Sequence, residues 1–194
     1  MTKIVDAVIG GGGMVGLTLG IALARCGLDV VVADPVPEAQ ALAAGFDGRV
    51  SALAFASVRM FKALGIWEYL APHAQPIEDI LVTDAKLGAP PSPFSLHFDH
   101  RELGAPLGYI AENRHIRSAL FAAARGVTNL KPFSPAALVD LETTANSIDA
   151  HLGDGTVVPA RLAVAADGRE SPIRASMGIG VVSWSYPQWG IVAT

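Results

Sequence analysis

Cysteine is almost absent from this sequence of 194 residues, and charged side chains are scarce. The single cysteine, Cys26, excludes an internal disulfide, fits a reducing cytoplasmic compartment, and is expected to pack within a helix rather than act as a nucleophile. Only 16% of residues are charged, the net charge is −4 and no basic run occurs, which argues against a nucleic-acid partner. His97 and His100 flank Asp99 without a second pair of ligands, so no metal site is predicted.

Apolar residues fill the place of the missing charges and make up 51% of the chain. Such a high share indicates strands buried on both faces of a parallel sheet, together with apolar surface meant for a partner. The length suffices for one large domain or for part of a two-domain enzyme. An apolar sheet edge left without a neighbour favours self-association, so a dimer or larger species is expected.

The glycine-rich segment from Asp6 to Gly16 is the strongest signal in the sequence. It predicts a strand, a tight turn and a helix, followed by a second strand that ends in Asp34, which is the pattern of a dinucleotide-binding βαβ unit. Gly11 would allow the turn, Gly13 would let a diphosphate approach the backbone, and Gly16 would let the helix lie close to the strand. The helix N-terminus would bind the diphosphate, and Asp34 would accept hydrogen bonds from ribose hydroxyls.

The same apolar run, Ala7 to Ala24, also has features of a signal peptide or a membrane helix. Four consecutive glycines weaken any helix by about 1 kcal/mol each, and Asp6 adjoins the run. Cleavage after Ala24 would also separate the first strand from the second. The sequence therefore favours the nucleotide-binding interpretation.

The remaining pattern predicts further helices and strands. In the first half it predicts a Pro- and Ala-rich loop over 35–48, a segment at 49–54 that leads into a helix, a projecting hairpin of strands 80–83 and 94–98, and a helix over 114–125 with Asn113 as N-cap. In the second half it predicts an antiparallel meander over 137–142, 147–152 and 157–158, then a separate apolar strand over 162–166.

Four segments, taken in order, carry a family resemblance. They are the glycine segment with Asp34, then Asp47 to Leu53, Gly108 to Arg114, and Ala165 to Arg174. Together they resemble the flavin-dependent aromatic hydroxylases, and more narrowly the 2-polyprenylphenol and polyprenyl-methoxyphenol hydroxylases of ubiquinone biosynthesis. The predicted fold is α/β, with a Rossmann-like, glutathione-reductase-type FAD-binding domain that combines a parallel sheet with a β-meander, and with part of an antiparallel substrate-domain sheet.

The resemblance implies roles for residues outside the glycine segment. Arg49 would contact the FAD diphosphate, for which a planar guanidinium suits a bidentate grip. Ser51 would add a hydroxyl contact or cap the next helix, and Asn113 would lie near the cofactor, cap a helix, or do both. Asp167 would lie at the flavin and take part in nicotinamide interplay, with Arg174 cooperating there or lying on the surface.

The implied activity is monooxygenation of a phenolic ring with FAD as cofactor, NAD(P)H as co-substrate and O₂. The flavin performs the difficult chemistry, so no catalytic acid or base is assigned from the sequence. Association with the inner membrane surface or with a quinone-biosynthesis complex stays open. The alternatives are a related FAD-dependent reductase or halogenase, and a non-catalytic nucleotide-binding or interaction module.

The expected domain organisation is discontinuous. FAD-binding parts are expected over 1–76 and 101–180, a substrate-domain hairpin over 77–100, and the start of a substrate-domain sheet over 181–194. The third flavin motif of the family, a Gly-Asp segment, has no counterpart in the sequence. The chain is therefore expected to be an N-terminal part of a longer enzyme that binds FAD weakly and does not hydroxylate alone.

Overall fold

The structure, a computed structural model, describes residues 3–43, 48–84, 88, 90 and 92–189. Over these residues the strands are β1 Val5–Gly10, β2 Val30–Ala33, β3 Val50–Ala54, β4 Ala74–Ile77, β5 Asp79–Thr83, β6 Ser95–Asp99, β7 Gly108–Glu112, β8 Leu130–Phe133, β9 Leu138–Thr143, β10 Ile148–Leu152 and β11 Val157–Ala165. The helices are α1 Met14–Arg25, α2 Glu38–Ala43, α3 Phe55–Ala63, α4 Trp67–Leu70, α5 His100–Leu103, α6 Asn113–Arg125 and α7 Pro172–Ser176, with a 3₁₀ turn at Ala71–His73.

The main sheet has six strands in the order β8-β2-β1-β11-β10-β9. The pairings from β8 to β11 are parallel, whereas β10 pairs antiparallel with both β11 and β9. The predicted parallel sheet with an added meander is thereby confirmed. Consecutive residues of β1 such as Val8 and Ile9 are both inaccessible to solvent, since helices cover one face of the sheet and the meander with α7 covers the other.

Two smaller antiparallel sheets lie outside the main sheet. One has the order β3-β7-β4, and the other is the predicted hairpin of β5 and β6. In the hairpin, Ile80 pairs with Phe98 and Val82 with Leu96, so one face carries two apolar cross-strand pairs. All four of these side chains are exposed to solvent.

The meander corrects one sequence prediction. The strands predicted at 157–158 and 162–166 are one continuous strand, β11. Ala160 explains the continuity, because it pairs with Ile148 of β10 on one side and with Val5 of β1 on the other. The first half of β11 thus completes the meander, and the second half is a central strand of the parallel sheet.

Further differences lie between β2 and α3 and at the end of the described chain. The predicted loop over 35–48 contains α2, which begins at Glu38 just after Pro37; its run of Ala, Glu, Gln and Leu has high helix propensity. The segment at 49–54 contains β3, which pairs with β7 directly before α3. Residues 177–189 form no helix or strand, and 190–194 lie outside the described residues.

Cys26 is exposed at the end of α1, so its expected packing role is wrong.

The helix-covered face of the sheet holds the larger of the two cores. Ile21 of α1 and Leu120 of α6 are fully buried there against Ile9 of β1. α1 can approach β1 this closely because Gly16 and Gly20 face the sheet: a Cβ at Gly20 would lie 2.9 Å from a Val32 methyl carbon. At Gly16 the fit is tighter still, since a Cβ would lie 1.8 Å from the Gly11 carbonyl oxygen.

We expect Gly16→Ala to destabilise the fold, because a backbone atom blocks the new methyl group and the helix must move. The free energy of unfolding should fall by about 2–3 kcal/mol or more, as for an overpacked core. The control is Gly126→Ala, where the new Cβ would make an ordinary contact at 3.6 Å and the free energy should change by about 0.5 kcal/mol or less. Urea unfolding followed by circular dichroism measures both, and equal values for the two variants would contradict the prediction.

Candidate functional site

The glycine turn between β1 and α1 forms the centre of the site. Gly11 has φ 104°, a conformation that other residues rarely adopt, and a Cβ there would lie 2.3 Å from the Ala166 carbonyl oxygen. Gly13 is the N-cap of α1, and no side chain caps the helix there. A Cβ at Gly13 would meet nothing within 4 Å, so the surrounding protein does not require glycine at this position. The uncapped N-terminus therefore presents backbone N–H groups to open space.

Asp34 follows β2 and borders the same turn. Its carboxylate accepts one hydrogen bond from the Gly12 amide at 2.6 Å and another from the Val36 amide at 2.7 Å. These two bonds fix the orientation of the carboxylate. Each carboxylate oxygen keeps further acceptor capacity, so the group remains able to accept bonds from ribose hydroxyls.

Asp167 lies two residues after β11, the strand that pairs with β1 on the side opposite β2. Its Oδ2 accepts a hydrogen bond from the Ile173 amide at 3.2 Å. Its Oδ1 is buried and has no hydrogen-bond partner among the described residues. A buried acceptor without a donor is costly, so this oxygen is a candidate acceptor for a donor from outside the described residues.

Two adjoining clefts open beside the glycine turn. The first, which we call the glycine-turn cleft, has a volume of about 350 Å³ and contains Gly11, Gly13, Asp34 and Asp167 in its wall. The second, the α6 cleft, has a volume of about 650 Å³ and is lined by Gly12, Gly13 and Asp34 together with residues of α2 and α6. Because Gly13 and Asp34 line both, a single elongated ligand could occupy the two clefts.

The other predicted site residues form a second group at the start of α6. The Ser51 hydroxyl donates a hydrogen bond to Asn113 Oδ1 at 2.6 Å. The backbone N–H of Asn113 donates to the Arg49 carbonyl oxygen at 3.0 Å. Asn113 is the first residue of α6 and Glu112 is the N-cap, so the expected capping role of Asn113 is wrong. Its side chain bonds to β3 instead. None of Arg49, Ser51 and Asn113 lines the two clefts described above.

Two arginines, Arg174 and Arg117, each have a buried Nε without a hydrogen-bond partner among the described residues. Arg174 donates from Nη1 to the Arg169 carbonyl oxygen at 2.7 Å, while its buried Nε has no partner among the described residues. Arg117, which the sequence reasoning missed, lies one turn after Asn113 and lines the α6 cleft. No motif of the sequence identifies Arg117, because its place in the cleft depends on the packing of α6 beside the glycine turn.

A histidine pair also lies near the start of α6. The rings of His115 and His73 are stacked, with centroids 4.1 Å apart and planes within 1° of parallel. Burial lowers the pKa of His115 below its ordinary value, and the nearby His73 and Arg114 lower it further. Glu112, whose Oε2 lies 3.8 Å from His115 Nε2, acts in the opposite direction.

A model of the FAD binding domain family matches residues 4–192. The chain belongs to this family. FAD is therefore its cofactor, and the glycine turn, Asp34 and the orphaned oxygen of Asp167 are the features of this structure that fit a dinucleotide.

Two known proteins that are similar to this chain are named as hydroxylases. The chain is 42% identical over 192 residues to the ubiquinone hydroxylase UbiL of Rhodospirillum rubrum, covering 99% of this chain and 44% of that protein. It is 33% identical over 186 residues to the 3-demethoxyubiquinol 3-hydroxylase of Escherichia coli, covering 94% of this chain and 46% of that protein. The chain thus spans less than half the length of these relatives.

Solved structures show the same fold. A variant of PqsL from Pseudomonas aeruginosa superposes with a TM-score of 0.77 at 22% identity, covering 95% of this chain and 49% of that one. A variant of 2-methyl-3-hydroxypyridine-5-carboxylic acid oxygenase superposes with a TM-score of 0.67 at 25% identity, covering 91% and 43%. The predicted Rossmann-like α/β fold is thereby confirmed.

The described residues contain no candidate membrane span and no cluster of metal ligands. None of their helices combines the length and the apolar character needed to cross a bilayer. No three of their histidine, cysteine or acidic side chains converge as metal ligands. His97 instead lies 2.9 Å from Asp79 across the hairpin, and His100 bonds to the Glu78 carbonyl oxygen.

The lowered pKa of His115 predicts a loss of stability in acid. The folded protein binds a proton at His115 less readily than the unfolded chain does. The free energy of unfolding should therefore be unaffected by this group above its ordinary pKa of about 6.5 and should decrease as the pH falls below that value. In His115→Gln the decrease in the urea midpoint between pH 7.5 and pH 5.5 should be smaller than in the parent. A decrease of equal size in both proteins would show that protonation of His115 contributes nothing.

Proposed function

We propose that this chain is the FAD-binding part of a monooxygenase that hydroxylates a phenolic ring carrying a polyprenyl tail, as in ubiquinone precursors, with NAD(P)H and O₂ as co-substrates. The similarity to two relatives, a ubiquinone hydroxylase and a 3-demethoxyubiquinol 3-hydroxylase, supports this class of substrate. NAD(P)H is proposed as reductant because flavin hydroxylation consumes two electrons that O₂ alone does not supply.

The proposed roles of the residues follow from their positions. The amides at the start of α1 would bind the diphosphate over Gly13, and Asp34 would accept hydrogen bonds from the adenosine ribose. Asp167 Oδ1 would accept a hydrogen bond from the bound cofactor. Arg49 would provide a positive charge for the diphosphate, and the bonded pair of Ser51 and Asn113 would hold the start of α6 against β3.

FAD, when bound, accepts electrons from the nicotinamide and activates oxygen; the chain supplies binding and orientation. The single observation that carries this proposal is the open space over Gly13. At Gly11 and Gly16, backbone atoms of the chain leave no room for a Cβ. Gly13, in contrast, has φ −72°, and a Cβ there would have no atom within 4 Å. Since no protein atom occupies the space beside Gly13, a ligand can approach its backbone closely there.

The direct test is titration of the purified chain with FAD, followed by quenching of flavin fluorescence. We expect saturable binding and no hydroxylated phenol when NAD(P)H and O₂ are added, since the chain spans less than half the length of its hydroxylase relatives. Failure to bind FAD at millimolar concentration would contradict the proposal. Oxygen uptake coupled to phenol hydroxylation would contradict the expected inactivity of this chain alone.

We further propose that the chain self-associates in the cytoplasm or at the inner membrane surface. The exposed apolar face of the β5–β6 hairpin supports this, because its two cross-strand pairs offer unburied surface to a partner. Light scattering should report a dimer or larger species. A monomer at all concentrations would contradict this part of the proposal.

We expect Gly13→Ala to weaken FAD binding without unfolding the chain. The added methyl group meets no protein atom within 4 Å but would occupy the position of the diphosphate. The dissociation constant for FAD should rise roughly 10-fold or more, equivalent to at least about 1.4 kcal/mol. Stability should fall by at most about 1 kcal/mol, since alanine is a poorer N-cap than glycine.

The matched control for this variant is Gly126→Ala, a helix-end glycine far along the chain from the turn. It should leave the FAD dissociation constant unchanged. Fluorescence titration and thermal unfolding of the FAD-free proteins measure both effects. Unchanged FAD affinity in Gly13→Ala would show that the ligand does not pass over this glycine.

A further inference from the structure

We propose that Arg117 binds a phosphate group of the FAD diphosphate in the α6 cleft. This inference rests on the proposed binding of FAD at the glycine turn. It adds a residue that lies outside the four sequence segments on which the family resemblance depends.

The state of the Arg117 side chain is the first observation. The residue is half-buried on α6, and its Nε is wholly buried without a hydrogen-bond partner. Among the described residues it forms no ion pair. A guanidinium donor withdrawn from water without an acceptor is costly, and the contacts of the chain itself do not compensate that cost.

The position of Arg117 is the second observation. It lines the α6 cleft together with Gly12 and Gly13, whose turn leads into the uncapped helix N-terminus. An anion in this cleft would therefore lie near both the positive end of α1 and a guanidinium. That combination favours a phosphate over a neutral ring, because the planar guanidinium can donate two parallel hydrogen bonds to phosphate oxygens.

The charges around the α6 cleft provide Arg117 with no ion-pair partner among the described residues. Asp34 is the sole acidic residue among the described residues that line the α6 cleft, and its carboxylate is held by the Gly12 and Val36 amides. Arg125, two turns further along α6, is different, since it forms an ion pair with Glu38 of α2. Arg125 thus links α6 to α2, whereas Arg117 has no such partner among the residues that the structure describes.

The test compares Arg117→Met and Arg117→Lys with the parent chain, and uses Arg125→Met as the control. Met removes the charge and retains an unbranched apolar side chain, whereas Lys retains the charge without the planar fork. FAD binding is measured by flavin fluorescence at 50 and 500 mM KCl, and ADP binding by competition with FAD. Thermal unfolding of the FAD-free proteins verifies that each variant is folded.

We expect Arg117→Met to raise the dissociation constants of FAD and ADP by roughly 10- to 100-fold, and Arg117→Lys to raise them less. The salt dependence of FAD binding should be weaker in Arg117→Met, because a charge contact has been removed. The unfolding midpoint of FAD-free Arg117→Met should be equal to or higher than that of the parent, because the buried donor without a partner is gone. Arg125→Met should retain the parent affinity.

Three results would overturn the inference in distinguishable ways. Parent-like affinity of Arg117→Met for FAD would remove Arg117 from the binding site while leaving the proposed function intact. Weakened FAD binding with an unchanged salt dependence would show a contact with the adenosine or the flavin rather than with a phosphate. Absence of FAD binding by the parent chain itself would overturn the proposed function and this inference together.

Discussion

The close approach of three backbone segments around Gly11 is the constraint on which the rest of the structure depends. A Cβ at Gly11 would lie 2.3 Å from the Ala166 carbonyl oxygen, and a Cβ at Gly16 would lie 1.8 Å from the Gly11 carbonyl oxygen. The turn after β1, the first turn of α1 and the end of β11 are therefore in mutual contact. The Ala166 amide also donates to the Gly10 carbonyl oxygen at 2.7 Å. This contact brings Asp167 beside the glycine turn although more than 150 residues separate them in the sequence.

Features encoded locally were predictable from the sequence. The βαβ unit, the hairpin and the meander each depend on short-range periodicity and on turn residues, and the structure contains all three. α2 was missed because prolines and alanines dominate its surroundings, although the residues Glu38 to Ala43 favour a helix. β8 and β4 were missed because their pairing partners are distant in sequence, and such pairing leaves little local trace.

The candidate site was only partly predictable for the same reason. The sequence alone indicated Gly11, Gly13 and Asp34, since a single motif contains them. It did not indicate that Asn113 bonds to Ser51 rather than capping α6, because that bond depends on β3 lying against β7. Arg117 has no motif of its own, and only the packing of α6 beside the glycine turn places it in a cleft.

The double pairing of β11 has a consequence for which changes of length the domain can accommodate. Ala160 is bonded to the meander on one side and to β1 on the other, so it fixes the register of both halves of the strand. The loop at 144–147 lies outside the paired residues of β9, β10 and β11, so a change in its length leaves this register unaltered. A single residue inserted after Ala160 would instead turn every following side chain to the opposite face and carry the Asp167 carboxylate away from the cofactor.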